Sequence, residues 1–151
     1  MKLFVLLISF ALTLGQDTEF QSLGDSMRNI IAKYGEKETL RVFQEGRIEA
    51  RISSYIDELF YRNRTEGEET KRIYAELQDA LSDNREANEA WDIVARGKGE
   101  NLEVVIGAAY RLDAILGEEV SGSRRGFWDW VKKNWKTIVQ VTVAVVELLV
   151  A

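Results

Sequence analysis

Apolar residues recur at three- and four-residue steps along most of this 151-residue chain, which is the spacing of one face of an α-helix. This periodicity predicts helices over residues 17–34, 36–62, 69–81, 83–96 and 101–116, followed by an apolar C-terminal helix. Only residues 139–146 show a hint of the period-two alternation of a β-strand, with β-branched residues that favour a strand. Because a lone strand would have no partner elsewhere in the chain, a helix is predicted there too. The chain is therefore expected to be all-α: a single helical bundle of about five or six helices with an apolar C-terminal helix.

The predicted helices before the C-terminal one each have a candidate core face. The apolar residues aligned on these faces include Leu23, Met27, Ile30, Leu40, Phe43, Ile48, Ile52, Ile56, Ile73, Leu77, Leu81, Ala87, Ala90, Trp91, Val94, Leu102, Val105, Ala109, Leu112 and Ile115. Gly35 and Gly117 are expected to end helices, and Gly46 allows the second segment to be two shorter helices. Ser82 and Asn101 are expected to be N-caps.

The C-terminal stretch, Ser123–Ala151, combines three tryptophans and a phenylalanine with a valine-rich run. On a helix, its polar residues form one narrow stripe: Asp129, Lys133, Lys136, Gln140, Ala144 and Glu147. Apolar residues cover most of the remaining circumference: Phe127, Trp130, Val131, Ile138, Val141, Val145, Leu148 and Leu149. Such a helix must be buried, oligomerise or enter a membrane. Burying about eight of these side chains is worth roughly 12–24 kcal/mol gross, which exceeds the ~5–15 kcal/mol net stability of a domain.

The first fifteen residues have the pattern of a secretory signal peptide. Lys2 supplies a positive start, residues 3–14 form a short apolar region, and small residues precede an expected cut at Gln16. The apolar region is too short to span a membrane. We therefore expect a signal peptide over 1–15, a single helical domain over 16–151, and secretion to the extracellular space.

Charge is unevenly distributed along the expected mature chain. Residues 16–122 hold 14 basic and 23 acidic residues, a net charge of −9, whereas residues 123–151 hold 5 basic and 2 acidic residues, a net charge of +3. The acidic body argues against nucleic acid as a partner. The cationic, tryptophan-bearing tail is compatible with an anionic membrane surface, and equally with a packed helix whose lysines face solvent.

The composition excludes several kinds of chemistry. The chain contains no cysteine, histidine or proline, so the usual zinc, copper and haem sites and the Ser-His and Cys-His nucleophile pairs are excluded. Carboxylates are abundant, but the adjacent pairs at 57–58, 68–69 and 118–119 point in different directions on a helix and are interpreted as solvated surface charge. Residues 97–99 and 122–126 are interpreted as turns rather than phosphate-binding loops. No enzyme activity, cofactor or metal is predicted.

Three interpretations of the C-terminal cluster remain open. Tryptophan beside lysine is typical of a membrane interface, which makes seven residues candidates for membrane or partner contact: Phe127, Trp128, Trp130, Lys132, Lys133, Trp135 and Lys136. The same aromatic residues are also suited to core and edge packing inside a bundle. The small residues at 121–123, followed by a polar stretch and the apolar 137–151, also resemble a GPI signal, although Gln140 and Glu147 interrupt the apolar run.

Residues 63–65 form an N-glycosylation sequon, Asn-Arg-Thr, in a polar stretch that is predicted to be a loop through Glu68. In a secreted chain, Asn63 is therefore a candidate for glycosylation.

The order of these features resembles the Turandot family, the secreted stress-response proteins of flies. The best local match is Gly126-Phe127-Trp128, followed by Val131-Lys132 and Ile138-Val139-Gln140. Weaker matches lie at Lys33-Tyr34-Gly35 and around 55–62. The family's proline-containing element before the C-terminal segment is replaced here by Glu119–Gly126, which contains no proline, so the chain resembles a divergent member.

The resemblance implies a humoral factor released into haemolymph under heat, oxidative, wounding or bacterial stress, which promotes tolerance. Because the family has no established catalytic residues, none are carried over to this chain, and it is the residues themselves that favour action by binding rather than by catalysis. The resemblance identifies neither the ligand nor the receptor. An unidentified protein and an anionic membrane surface are both candidate partners.

Overall fold

The computed structural model of this protein describes residues 21–119 and 125–151, with side chains over 21–117 and 129–151. Within these ranges it contains no strand and seven helices: α1 (Leu23–Tyr34), α2 (Glu36–Glu45), α3 (Ile48–Arg62), α4 (Arg64–Asp83), α5 (Arg85–Ala95), α6 (Leu102–Glu119) and α7 (Arg125–Val150). The all-α prediction is confirmed, and the expected count of five or six helices is too low. The expected signal peptide lies outside the described residues, as does the small-residue segment 121–123 of the GPI interpretation.

The extra helix comes from a break at Gly46. Gly46 adopts the left-handed conformation, with φ of 65° and ψ of 25°, and its N–H bonds to the carbonyl of Phe43. This geometry turns the chain out of α2 and into α3, so segment 36–62 is two helices. Gly97 also has positive φ and lies against this turn: a Cβ on Gly97 would come within 2.4 Å of the Gly46 Cα. The two glycines allow the α2–α3 turn and the end of α5 to meet backbone to backbone.

Asparagine side chains accept hydrogen bonds at the starts of α4, α5 and α6, and the starts of α4 and α5 differ from those that the periodicity predicts. The loop predicted over 63–68 is wrong, because Asn63 caps α4 by accepting the N–H of Glu66 at 3.2 Å. Ser82 is not a cap; it lies inside α4, and Asn84 caps α5 instead, accepting from Ala87 N at 3.0 Å. Asn101 accepts from Val104 N as predicted.

The two glycines that were expected to end helices behave differently. Gly35 ends α1 as predicted, with its N–H bonded to the carbonyl of Ile31. Gly117 does not end α6, which continues through it to Glu119. A single glycine inside a helix costs only about 1 kcal/mol relative to alanine, so Gly117 does not by itself end α6.

The C-terminal helix α7 is the centre of the bundle. It packs against α1, α2, α3, α4 and α6, and at 26 residues it is about 39 Å long. Its buried side chains, each at most 8% exposed, are Val131, Trp135, Ile138, Val139, Val141, Thr142, Val145, Val146 and Val150. The sequence allowed this helix to be buried, to oligomerise or to enter a membrane, and in the described structure it is buried within the chain.

The predicted polar stripe of α7 is its solvent-facing edge. Asp129 and Lys133 are exposed, and Lys136, Gln140, Ala144 and Glu147 are half-buried. One member of the predicted apolar surface departs from expectation: Leu148 is 56% exposed. The solvent-facing edge is narrow because five other helices pack around most of the circumference of α7.

The core combines side chains of α7 with residues that the periodicity predicts on the other helices. The largest fully buried side chains are Trp91, Trp135, Phe43, Leu23, Met27, Ile30, Ile48, Ile73, Leu77, Leu81, Leu116 and Ile138. Leu40 and Leu102 are only half-buried. Three buried threonines were not predicted, namely Thr39, Thr70 and Thr142. Each donates its hydroxyl hydrogen to the carbonyl four residues earlier, which satisfies the polar group without a partner helix.

Helices α1 and α6 are joined by hydrogen bonds at the start of α1. The carboxylate of Asp113 on α6 accepts from the Ser22 hydroxyl at 2.7 Å and from the N–H groups of Leu23 and Gly24 at 2.9 and 3.0 Å. This carboxylate satisfies donors that the first turn of a helix leaves free. The ring of Tyr110 lies over Gly24, where any Cβ would come within 2.4 Å of it.

We expect Gly67→Ala to destabilise the protein by about 1–3 kcal/mol, because the new Cβ would come within 2.1 Å of the Phe60 Cα and force α3 and α4 apart. The matched control is Gly107→Ala on α6, which meets nothing within 4 Å and should stabilise by about 0.4–1 kcal/mol. Urea unfolding of both variants gives the two free energies. Equal stabilities for the two variants would contradict the close packing of α3 on α4.

Candidate functional site

The predicted contact residues on α7 divide into surface and core. Lys132 and Lys133 are exposed, and Lys136 is half-buried. Trp130 is half-buried and packs on the core, whereas Trp135 is 2% exposed and belongs to the core. Phe127 and Trp128 lie outside the described side chains. Among the predicted contact residues with described side chains, the exposed ones are therefore Lys132 and Lys133.

A cavity of about 250 Å³ opens between α3, α4 and α5. Its lining combines apolar and polar side chains: Glu49, Ile52, Ser53, Ile56, Asp57, Lys71, Tyr74, Ala75, Gln78 and Trp91. Ile52, Ile56, Tyr74 and Trp91 are buried, whereas Ser53, Asp57 and Lys71 are exposed. The cavity therefore has an apolar interior and a polar rim.

Arg96, directly after α5, holds one wall of this cavity. Its guanidinium donates to the Glu49 carboxylate at 2.8 Å and to Gln78 Oε1 at 3.0 Å, which fixes residues of α3 and α4. It also donates to Asn88 and Asp92 on α5. One side chain thus connects all three helices that surround the cavity.

The Arg96 network changes the ionisation of its members. The hydrogen bond to Glu49 raises the pKa of Arg96 above its ordinary value, and the bond to Asp92 adds to this. Burial by itself would raise the pKa of Asp92, but hydrogen bonds from Arg96 and Lys98 outweigh it, so the pKa of Asp92 is lowered. Asp92 is therefore held as a carboxylate, which keeps the network charged at neutral pH.

Tyr74 forms the boundary between the cavity and α7. Its hydroxyl bonds to the carbonyl of Ile138 at 2.9 Å and pairs with the Thr142 hydroxyl at 2.8 Å. Burial raises the pKa of Tyr74 far above its ordinary value, so the phenol stays neutral. Tyr74 therefore has a packing and hydrogen-bonding role rather than an acid–base one at neutral pH.

Trp91 is the most unusual residue in the cavity lining. The side chain is 0% exposed, and its indole Nε1–H has no hydrogen-bond acceptor among the described residues. Leaving a buried donor without an acceptor costs about 1–3 kcal/mol, so such groups are uncommon in folded proteins.

A second, shallower groove of about 700 Å³ lies between the α1–α2 corner and the start of α6. Its lining is apolar in the centre and charged at the sides: Ile31, Leu40, Leu102, Ile106, Glu36, Lys37, Asn101 and Glu103. The half-buried state of Leu40 and Leu102 results from their position in this groove.

The other candidates from the sequence lie on the surface. Asn63 is exposed, and its Oδ1 caps α4, so the sequon is at a helix start rather than in a loop. The carboxylates at 57–58 and 68–69 are exposed, and the side chains at 118–119 lie outside the described part of the chain. Residues 97–99 lie in the connection between α5, which ends at Ala95, and α6, which begins at Leu102.

The described residues contain no group of three or more residues of the kinds that could hold a metal ion. None of the helices in 21–119 and 125–151 is both long enough and apolar enough to cross a membrane.

The sequence did not reveal the Arg96 network or the cavity. Arg96 bonds to residues 47 and 18 positions away, and no motif links an arginine at the end of one helix to a glutamate and a glutamine on two others. Trp91 was predicted as a core residue, but its missing acceptor depends on side chains from other helices.

The fold and these sites define an all-helical protein with a central apolar helix and a small cavity in its side. In comparisons with known proteins, no protein-family model, no curated protein and no solved structure matches this chain.

We expect Arg96→Met to destabilise the protein by about 1–3 kcal/mol at neutral pH, because it removes charge-assisted hydrogen bonds to Glu49, Asp92 and Gln78 from a partly exposed site. Since the pKa of Asp92 is lowered in the folded state, this carboxylate stabilises the fold above its ordinary pKa of about 3.9, and the effect disappears as the pH falls through the folded value. The difference between wild type and variant should therefore shrink in acid. Urea unfolding between pH 7 and pH 2.5 measures it.

The control is Arg85→Met, which removes an exposed ion pair with Glu89 at 3.2 Å. Its effect should be below about 0.5 kcal/mol, because exposed pairs are screened by solvent. If both variants lose the same stability, Arg96 has no special structural role.

Proposed function

We propose that this protein is a secreted, non-enzymatic humoral factor that acts by binding, in stress tolerance and in the response to bacterial challenge. The signal-peptide pattern at residues 1–15 supports secretion, and the resemblance to the Turandot family supports the role in stress. The all-helical architecture agrees with the helical body that the resemblance implies.

The proposal rests on where the residues that match the Turandot family lie in the fold. Val131-Lys132 and Ile138-Val139-Gln140, which are among the most specific matches, lie on α7. Val131, Ile138 and Val139 are each 0% exposed and contact the helices that surround α7. The resemblance therefore involves the segment on which the packing of the bundle depends, rather than a peripheral tail.

We expect the circulating protein to rise after heat, oxidative stress, wounding or bacterial challenge of the animal that produces it, and to begin at Gln16 after signal-peptide removal. Immunoassay of haemolymph with N-terminal sequencing measures both. A constitutive haemolymph protein from the same samples is the control for general changes in secretion. An unchanged level under all four challenges would contradict the proposed role.

A second candidate function is binding to an anionic membrane surface. Lys132 and Lys133 are exposed next to half-buried Trp130, at the cationic end of a protein whose body carries a net charge of −9. Each lysine near an anionic bilayer contributes about 1 kcal/mol, and salt screens the attraction.

Burial of α7 favours contact through its exposed edge rather than release of the helix. Release would expose the eight buried apolar side chains of α7, at roughly 1.5–3 kcal/mol each. Two or three surface lysines contribute far less than this. Membrane contact would then leave Trp135 in the core.

We expect the mature protein to co-sediment with phosphatidylserine-containing vesicles at low salt, and Lys132→Glu/Lys133→Glu to abolish this binding by reversing both charges. The matched control is Arg51→Glu/Arg111→Glu, which makes the same change in net charge at two exposed positions on α3 and α6. Equal losses for the two variants would indicate that net charge decides binding. Absence of wild-type binding at low salt would contradict the membrane role.

A further inference from the structure

The one N-glycosylation sequon of the sequence, Asn63-Arg64-Thr65, lies on the surface of the fold. Residues 61–66 are all exposed, so the chain from the end of α3 to the first turn of α4 is open to solvent. Asn63 has extended backbone, with φ of −140° and ψ of 98°, and belongs to neither helix. A sugar attached at this position therefore displaces no core residue.

The carboxamide of Asn63 has two polar ends, and the fold uses one of them. Its Oδ1 accepts the N–H of Glu66 at 3.2 Å, which caps α4. Its Nδ2 makes no hydrogen bond within the part of the chain that the structure describes. N-glycosylation takes place at Nδ2 and leaves the amide oxygen as an acceptor. The cap and the modification are therefore compatible, and the modified side chain still satisfies a donor at the start of α4.

Tyr61 provides an apolar surface close to this nitrogen along the chain. The side chain is 90% exposed, more than any other large apolar or aromatic side chain that the structure describes. Because consecutive Cα atoms are ~3.8 Å apart, the Cα atoms of Tyr61 and Asn63 are separated by at most about 7.6 Å. A tyrosine ring has an apolar body and a polar tip, and the C–H face of a sugar ring is also apolar. The first sugar on Asn63 is therefore within reach of this ring.

From these observations we propose that Asn63 carries an N-linked glycan, that its Oδ1 continues to cap α4, and that the first sugar packs on the exposed ring of Tyr61. The reaction joins Nδ2 to C1 of a sugar that a membrane lipid carries on a diphosphate. The bond from C1 to the diphosphate oxygen breaks, the lipid diphosphate leaves with the electron pair, and Nδ2 loses one proton. The donor and its transferase belong to the secretory pathway, so the inference rests on the proposed secretion but not on the proposed role in stress.

The first test determines whether Asn63 is modified. The full chain is expressed in cultured insect cells with its own residues 1–15, and separately with these replaced by the leader of a secreted insect protein. We expect the medium to contain a form that migrates slowly on gels. A peptide N-glycosidase that accepts insect glycans should convert it to a faster form and turn Asn63 into aspartate, which mass spectrometry detects.

The two leaders separate this inference from the proposed secretion. A chain that is secreted and glycosylated only with the replacement leader would support the site at Asn63 and contradict the proposed secretion. A chain that is secreted with either leader but carries no glycan would overturn the inference.

Three variants separate the glycan from the cap. Thr65→Ser keeps the sequon, whereas Thr65→Ala removes it, and both leave the bond from Glu66 N–H to Asn63 Oδ1 in place. Asn63→Asp removes Nδ2 but keeps an oxygen that can cap α4. We expect the slow form for Thr65→Ser and only the fast form for the other two, with the helical circular dichroism of all three retained. A slow form that persists in Thr65→Ala would overturn the inference.

The contact with Tyr61 is tested as a coupling between this side chain and the glycan. Urea unfolding is measured for the glycosylated protein and for Asn63→Asp, each with and without Tyr61→Ala. We expect the glycan to raise the ratio of folded to unfolded protein, and Tyr61→Ala to reduce this gain at least about twofold, the lower end of the coupling between groups in contact. An equal gain with and without Tyr61→Ala would overturn the proposed contact.

The matched control is Arg51→Ala, at an exposed position earlier on α3. It removes a long exposed side chain from the same helix, three turns before Asn63, and should leave the gain from the glycan unchanged. A reduction equal to that of Tyr61→Ala would show that the glycan acts on α3 as a whole, and would overturn the specific contact with Tyr61.

Discussion

The burial of α7 is the constraint on which the rest of this structure depends. A helix with apolar residues over most of its circumference cannot remain in water by itself, and here five other helices cover it. Its nine buried side chains extend from Val131 to Val150, so the contact runs along nearly its whole described length. Because each surrounding helix needs only one apolar face to cover α7, the other helices can be short, amphipathic and rich in charge.

Polar groups near α7 are satisfied in ways that preserve this burial. Thr142 bonds back to its own helix at Ile138, and the hydroxyl of Tyr74 joins the same pair from α4. A buried hydroxyl without a partner would oppose packing at the centre of the bundle, whereas this arrangement fixes the position of α4 relative to α7. Farther from α7, the Arg96 network connects α3, α4 and α5 through charged groups that stay partly in contact with water.

The two candidate contact regions follow from this architecture. The Lys132–Lys133 edge exists because the bundle leaves one narrow stripe of α7 uncovered. The cavity lies between α3, α4 and α5, which Arg96 connects through hydrogen bonds to Glu49, Gln78 and Asp92. The residues of the first region were named from the sequence, Lys133 on the predicted polar stripe and both lysines among the candidate contact residues. The second required three helices to be brought together, so no local pattern could indicate it.

The sequence by itself determined the helical class, most of the core faces and the polar edge of α7, because these depend on residue spacing along one helix. It also identified the Asn101 cap and the end of α1 at Gly35, since both are local signals. Tertiary structure decided what local spacing does not contain. It separates α2 from α3 where Gly46 meets Gly97, it buries Trp135 while leaving Leu148 exposed, and it leaves the Trp91 donor without an acceptor among the described residues. Each of these outcomes depends on which helix lies opposite, and long-range packing alone determines that.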